Sequence, residues 1–172
     1  MSFRTLWMQR FPASLAVAVV LLVIVLDQLT KYLCDSRLVY GQPLPVFPGF
    51  DLLLAYNPGA AFSFLSELGG AQRWLLAGIS LAVSGAIAVW LWRLPRQQVM
   101  LGLALSLVLG GALGNLYDRI VYGYVIDFIS VYYGQWRFAT FNIADSAISV
   151  GAVLLALDVL VNGERHEAAE SA

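Results

Sequence analysis

The chain has 172 residues, 60% of them hydrophobic and only 12% charged, with a net charge of −1. That balance is unlike an ordinary soluble domain and places the apolar excess in lipid. It leaves no basic stripe for nucleic acid, while one cysteine, Cys34, allows no internal disulfide and no thiolate metal cage, so neither a metal nor another cofactor is expected.

The first long apolar run predicts a helix over 13–33, preceded by Arg4 and Arg10. A cleaved signal peptide is not expected there, because no small-x-small site follows. The stretch Lys31, Tyr32, Leu33, Cys34 also lacks the small residues that precede a lipid-modified cysteine. Cys34 is read as an ordinary small apolar residue near a helix end.

Residues 34–73 follow, with a strand at Phe50 to Tyr56 after the turn signal Pro48, Gly49. A second span is expected at 74–92, then a tight loop carrying Arg93 and Arg96, then a short third span at 99–116. Gly110 and Gly114 stand four apart in that span, a small-xxx-small spacing that lets a neighbouring backbone approach, so this helix is expected at the centre. In 117–140, Val131 to Phe138 reads as a hairpin around Gly134, with Tyr132, Tyr133, Trp136 and Phe138 suited to headgroup level. A sheet edge there could hold an extended peptide by strand addition. A fourth span covers 141–161, and a polar tail, 162–172, follows.

The expected fold is an all-α membrane protein: four transmembrane helices with a small extracytoplasmic β-sheet and loop region at the outer interface, forming one domain over 1–172. Basic residues divide evenly between the two sides. The purely basic leading flank of the first helix and the arginines of the tight loop place both termini in the cytoplasm.

An ionisable side chain at a membrane helix centre costs about 2.5–3.5 kcal/mol on insertion scales, so Asp27, Asp118, Asp127, Asp145 and Asp158 each require a reason. Asn142, Asp145, Ser146 and Ser149 fall at i, i+3, i+4 and i+7, one polar stripe on one helix face. Asp127 lies in YVIDFI, apolar on both sides, where burial raises a carboxyl pKa. Brought together, two such carboxylates share a proton, one acting as base toward water and the other as acid. Two unrelated helix-end and loop aspartates are the alternative.

The only histidine, His166, is in the tail, which leaves no base for a serine–histidine pair, and metalloprotease ligands are missing. Lys31, the only lysine, leaves a serine–lysine pair open, although Asp27 one turn earlier would keep it charged. Asp118 and Arg119 read equally as a helix-end charge pair at interfacial water, and Asp158 as a boundary acid that snorkels. A small transporter also places acids on inner helix faces, but no broken segments repeat in two halves.

Five blocks, LDQLTK at 26–31, NPGAAFSF at 57–64, GGALGNLYDR at 110–119, VIDF at 125–128 and FNIADSAI at 141–148, make the chain resemble the lipoprotein signal peptidase (signal peptidase II) family from the first helix to the fourth. The resemblance implies a monomeric inner-membrane aspartyl endopeptidase with its site near the periplasmic face. It implies that the enzyme cuts diacylglyceryl-modified prolipoproteins just before the lipidated cysteine, among membrane lipid, and is inhibited by a globomycin-like cyclic peptide. It puts the catalytic pair on Asp127 and Asp145, and substrate-binding or supporting roles on Asp27, Asn57, Gly59, Asn115, Asp118, Arg119 and Asn142. Pro58 occupies a variable slot and Ile126 stands where valine is common; neither touches the acids.

Overall fold

The computed structural model describes residues 10–59 and 71–170, with side chains through 161. Ala60 and Ala61 of the NPGAAFSF block, Arg4, and the side chains of the tail, Glu164 and His166 among them, lie outside that range. The chain order is α1 (Ala13–Arg37), β1 (Pro43–Phe47), β2 (Phe50–Asn57), α2 (Ala71–Arg93), α3 (Val99–Val121), β3 (Val125–Tyr133), β4 (Trp136–Arg137) and α4 (Ile143–Glu170).

The four helices among the described residues are long and apolar enough to cross a membrane. In α3, 56% of the apolar window is buried inside the protein, against 17–22% in the other three, so α3 is the central helix as its glycines suggested. A Cβ on Gly110 would come within 2.8 Å of Val23 of α1, and one on Gly111 within 2.4 Å of the Ala144 carbonyl of α4. Neither contact survives even a methyl group. The outward faces of α1, α2 and α4 carry exposed Leu22, Val25, Leu81, Trp92, Val153 and Leu160, as lipid contact requires.

Several helix limits differ from expectation: α1 runs on to Arg37 and α2 starts at Ala71, and the differences in α3 and α4 move site residues. Helix α3 runs one turn past residue 116, because Asn115, Tyr117 and Arg119 end the hydropathy but not the helix; Asp118 is therefore inside α3 and fully buried, not at interfacial water. Helix α4 starts at Ile143, which makes Asn142 its N-cap and takes it off the helix face. It also continues through Glu170, so the polar tail extends the fourth helix. Asp158, expected to snorkel, is buried at 7% exposure.

The four strands form one antiparallel sheet in the order β1-β2-β3-β4. β2 and the hairpin around Gly134 (φ +60°) match the expectation, but β3 begins at Val125, which puts Asp127 on a strand and not in a loop, and β1 was not foreseen because PLPVF has two prolines. β1 lies at the edge of the sheet, where its two prolines are tolerated and supply no N–H donors, which argues against strand addition there. The sheet joins the end of α1 to α2 and the end of α3 to α4, so it sits at one end of the bundle. At the other end Arg10 bridges to Pro95, and Phe11 N–H donates to the Leu94 carbonyl (2.8 Å), beside the tight α2–α3 loop. Tyr133, Trp136 and Phe138 are exposed at the sheet end.

Candidate active site

Asp127 lies on β3, where Val125, Ile126 and Phe128 are buried with it, so both faces of this stretch are covered and the carboxyl is only 1% exposed. Asn142 Nδ2 donates to Asp127 Oδ1 (2.8 Å) and Asn57 Nδ2 to Asp127 Oδ2 (3.1 Å). Strand pairing sets the second bond, because Ala55 opposes Asp127 and Asn57 opposes Val125 on the neighbouring strand. The Asn57 amide is itself oriented by Gly59 N–H, which donates to its Oδ1 (2.9 Å). Gly59 has φ +97°, a conformation that favours glycine, and a Cβ there would also have to displace the side-chain ends of Gln72 and Leu76, each 2.6 Å away.

Asp145 reaches the same place from α4. Asn142 Oδ1 accepts from Asp145 N–H (2.9 Å) and Asp145 Oδ2 accepts from Asn142 N–H (3.3 Å), a reciprocal capping box with aspartate at the third helical position. The positive end of the helix dipole therefore faces this carboxylate. Asn115 Nδ2 on α3 donates to Asp145 Oδ1 (2.7 Å), so Asp145 is held from two helices. Asn142 thus touches both acids, and the structure brings together the two carboxylates that the sequence leaves 18 residues apart.

Burial, and next the nearby Asp145 carboxylate, push the Asp127 pKa from 3.8 up to about 7, against opposing contributions from Asn57, Asn142 and the Lys31 cation. Near neutral pH one proton is thus readily kept on Asp127.

Behind the acids lies a layer of charge with no access to solvent. Lys31 Nζ is 2.7 Å from Asp27 Oδ2 and 2.8 Å from Asp118 Oδ2, with all three side chains at most 2% exposed. Lys31 Nζ also donates to Asn115 Oδ1 (3.0 Å), and Gln28 Nε2 donates to Asp27 (3.1 Å) and Asp118 (2.9 Å). Gly114 makes room for this layer, since a Cβ there would sit 2.7 Å from Asp27 Oδ2. Held between two carboxylates, and with no serine among its described partners, Lys31 does not form the serine–lysine pair the sequence left open.

A cavity of about 290 Å³ opens between α2, α3 and α4, with Asn115, Arg119 and Asp145 on its polar side and Ile79, Val83 and Ile148 on its apolar side. Arg119 Nη1 donates to the Asn115 carbonyl (3.2 Å), which leaves the guanidinium beside the acids. A larger cleft, about 360 Å³, lies near Phe11, Val20 and Leu91 at the other end and contains no carboxylate, so its size does not make it the site of chemistry. Every expected site residue falls in or directly behind this constellation: Asp27, Asn57, Gly59, Asn115, Asp118, Arg119, Asp127, Asn142 and Asp145.

Sequence reasoning missed Gln28, Gln72 and the second partner of Lys31. Gln72 Nε2 donates to the Gly59 carbonyl (2.8 Å) and is buried. A polar amide in an apolar helix was the available signal for Gln28, whereas Gln72 lay before the expected second span and carried no such signal.

Residues 19–161 match the family model described as signal peptidase (SPase) II. A lipoprotein signal peptidase from Pseudomonas fluorescens (strain Pf0-1) is 55% identical over 150 residues, 86% of this chain and 88% of that one. One from Pseudomonas aeruginosa (strain UCBPP-PA14) is 53% identical over 153 residues, covering 88% and 90%. Two structures described as bacterial membrane enzymes solved by the in meso method superpose with TM-scores of 0.80. They are 26% and 28% identical in sequence and cover 91% and 90% of this chain, and 94% and 97% of their own. With the family match running from the first span to the fourth, relatives at 53–55% identity and a fold shared with bacterial membrane enzymes, the chain belongs to the signal peptidase II family.

Proposed function

We propose that the chain is an aspartyl endopeptidase that removes signal peptides from diacylglyceryl-modified prolipoproteins, with Asp127 and Asp145 as its catalytic pair. The observation that carries this reading is Asn142, which fixes one carboxylate through its side-chain amide and the other through a helix cap. In the proposed cycle Asp145 accepts a proton from water as the water oxygen attacks the scissile carbonyl, while protonated Asp127 donates to the carbonyl oxygen. Collapse of the tetrahedral intermediate breaks the C–N bond and a carboxyl proton passes to the leaving amine. Asn57, Asn115 and Asn142 hold the acids, and Arg119 is placed to meet the substrate backbone.

The apolar wall of the cavity suits a signal-peptide segment in extended form, and the exposed lipid-facing helices leave the diacylglyceryl group in the bilayer. The described contacts around Asp127 and Asp145 come from one chain, which supports reading the enzyme as a monomer, and a globomycin-like cyclic peptide would compete for the same cavity. Four crossings put both termini on one side; we assign that side to the cytoplasm of a bacterial inner membrane and the sheet end to the periplasm. A reporter active only in the periplasm, fused at the C-terminus, should stay silent; activity there would reverse the topology.

Purified chain should cleave a diacylglyceryl prolipoprotein just before its lipidated cysteine, leave the unmodified precursor uncut, and be inhibited competitively by globomycin. Equal cleavage of both precursors would remove the lipid from the specificity.

A further inference from the structure

We propose that Lys31 is a positioning residue that ties the Asp127 and Asp145 peptides to one buried point. This rests on the reading of those two acids as the catalytic pair. The geometry is twofold. Asp118 Oδ2, bonded to Lys31 Nζ at 2.8 Å, also accepts the N–H of Ile126 (3.1 Å), the residue before Asp127. Asp27, bonded to Lys31 Nζ at 2.7 Å through Oδ2, accepts the N–H of Ala144 (2.9 Å) through Oδ1, and Ala144 is the residue before Asp145. One ammonium on α1 therefore links, through two carboxylates, the backbone on which each acid stands.

Its third bond sets the chemistry of a side chain in the site. Asn115 Oδ1 accepts from Lys31 Nζ (3.0 Å) and from Asn142 Nδ2 (3.2 Å), which forces Asn115 Nδ2 toward Asp145 Oδ1, 2.7 Å away. Without the ammonium, the Asn115 amide keeps one neutral donor and is freer to turn. A lysine with no access to solvent, between two acids that would otherwise repel, is costly to maintain, and its worth lies in the geometry it fixes.

Three charged groups act on Asp127: Asp145 on α4, Lys31 on α1 and Arg119 on α3. Removing the Lys31 cation takes away one influence that favours the ionised form of Asp127, so its proton should be lost at higher pH.

The test is single-turnover cleavage of a diacylglyceryl prolipoprotein by full-length chain in lipid, across pH. Lys31→Met is expected to lower the maximal rate on the order of 10²-fold, as displacements of about 1 Å in an active site do. KM should change little, and the alkaline limb of the rate profile should move upward. A merely structural role would reduce the fraction of active protein and leave that limb in place. If Lys31→Met does not fold, Lys31→Met with Asp27→Asn and Asp118→Asn removes the unbalanced charge while keeping oxygens for Ile126 and Ala144, and the same loss of maximal rate is expected without the upward move of the limb, because two anions leave with the cation. A wild-type rate in either folded variant, or an unmoved limb in folded Lys31→Met, overturns the proposal, as does failure of the triple variant to fold, which would make the layer a scaffold. Asp127→Asn in the same assay separates the two claims: if it is active, the catalytic pair is wrong; if it is dead while Lys31→Met is normal, only the role of Lys31 is.

Discussion

Asp127→Asn and Asp145→Asn are each expected to abolish cleavage in protein that inserts and folds as the parent does. An amide is nearly the shape of a carboxyl group but exchanges no proton in general acid–base catalysis, a step typically worth about 10² to 10⁴ in rate. The buried setting adds a second reason for loss. Asp127 meets the Nδ2 donors of Asn57 and Asn142, so an asparagine there either sets its own N–H₂ against a donor or turns and loses a bond. Asp145→Asn meets the same conflict at Asn115 Nδ2 and at the Asn142 N–H. The double variant should be little worse than either single one, because residues acting as a unit are not additive. Asp158→Asn, on the same helix as Asp145 but about three turns away, should retain cleavage. Mass analysis of the released peptide is the readout, and full activity in either folded single variant would remove the aspartyl mechanism.

Asn142→Ala should have the next largest effect. It deletes donors to Asp127 Oδ1, Asn115 Oδ1 and the Ile126 carbonyl, together with the acceptor that caps α4 through the Asp145 N–H. The cap alone is worth about 1 kcal/mol of stability. Release of both acids at once should cost on the order of 10²-fold or more in rate. Asn142→Asp separates these contributions, since it keeps an oxygen for the cap while setting a third carboxylate against Asp127. Its thermal stability should recover relative to Asn142→Ala and its rate should not. Rate recovery in Asn142→Asp would mean that Asn142 serves the helix and not the acids.

Much of the fold was legible because lipid enforces it: four apolar runs have few structures open to them other than helices. Gly110 and Gly114 marked the central helix because only small residues permit the approaches seen at Val23 and Asp27. Asp127 and Asp145 stood out as charges in apolar company. The errors came where hydropathy and helix geometry part. Asp118 seemed to be at a wet helix end because the apolar run stops near residue 116, yet the helix continues and folds that aspartate back against Lys31. Asn142 was assigned to a helix stripe by its spacing from Asp145, but the same i, i+3 relation also describes a cap and its third residue, and periodicity cannot tell the two apart. The link from Asn57 to Asp127 depends on strand register, which is a long-range property invisible in either segment alone.

Loss of activity in a variant can follow from altered packing, so the most direct test of a proton shared between Asp127 and Asp145 uses the unaltered chain. The single-turnover cleavage rate of a diacylglyceryl prolipoprotein should be measured against pH. With the Asp127 pKa raised to about 7 by burial and by Asp145, the acid is protonated below that value and loses its proton above it. The rate should therefore fall as pH rises through an apparent value near 7, a value that belongs to the coupled pair. A rate that keeps climbing to about pH 9, as a lysine-activated hydroxyl nucleophile would give, contradicts the account.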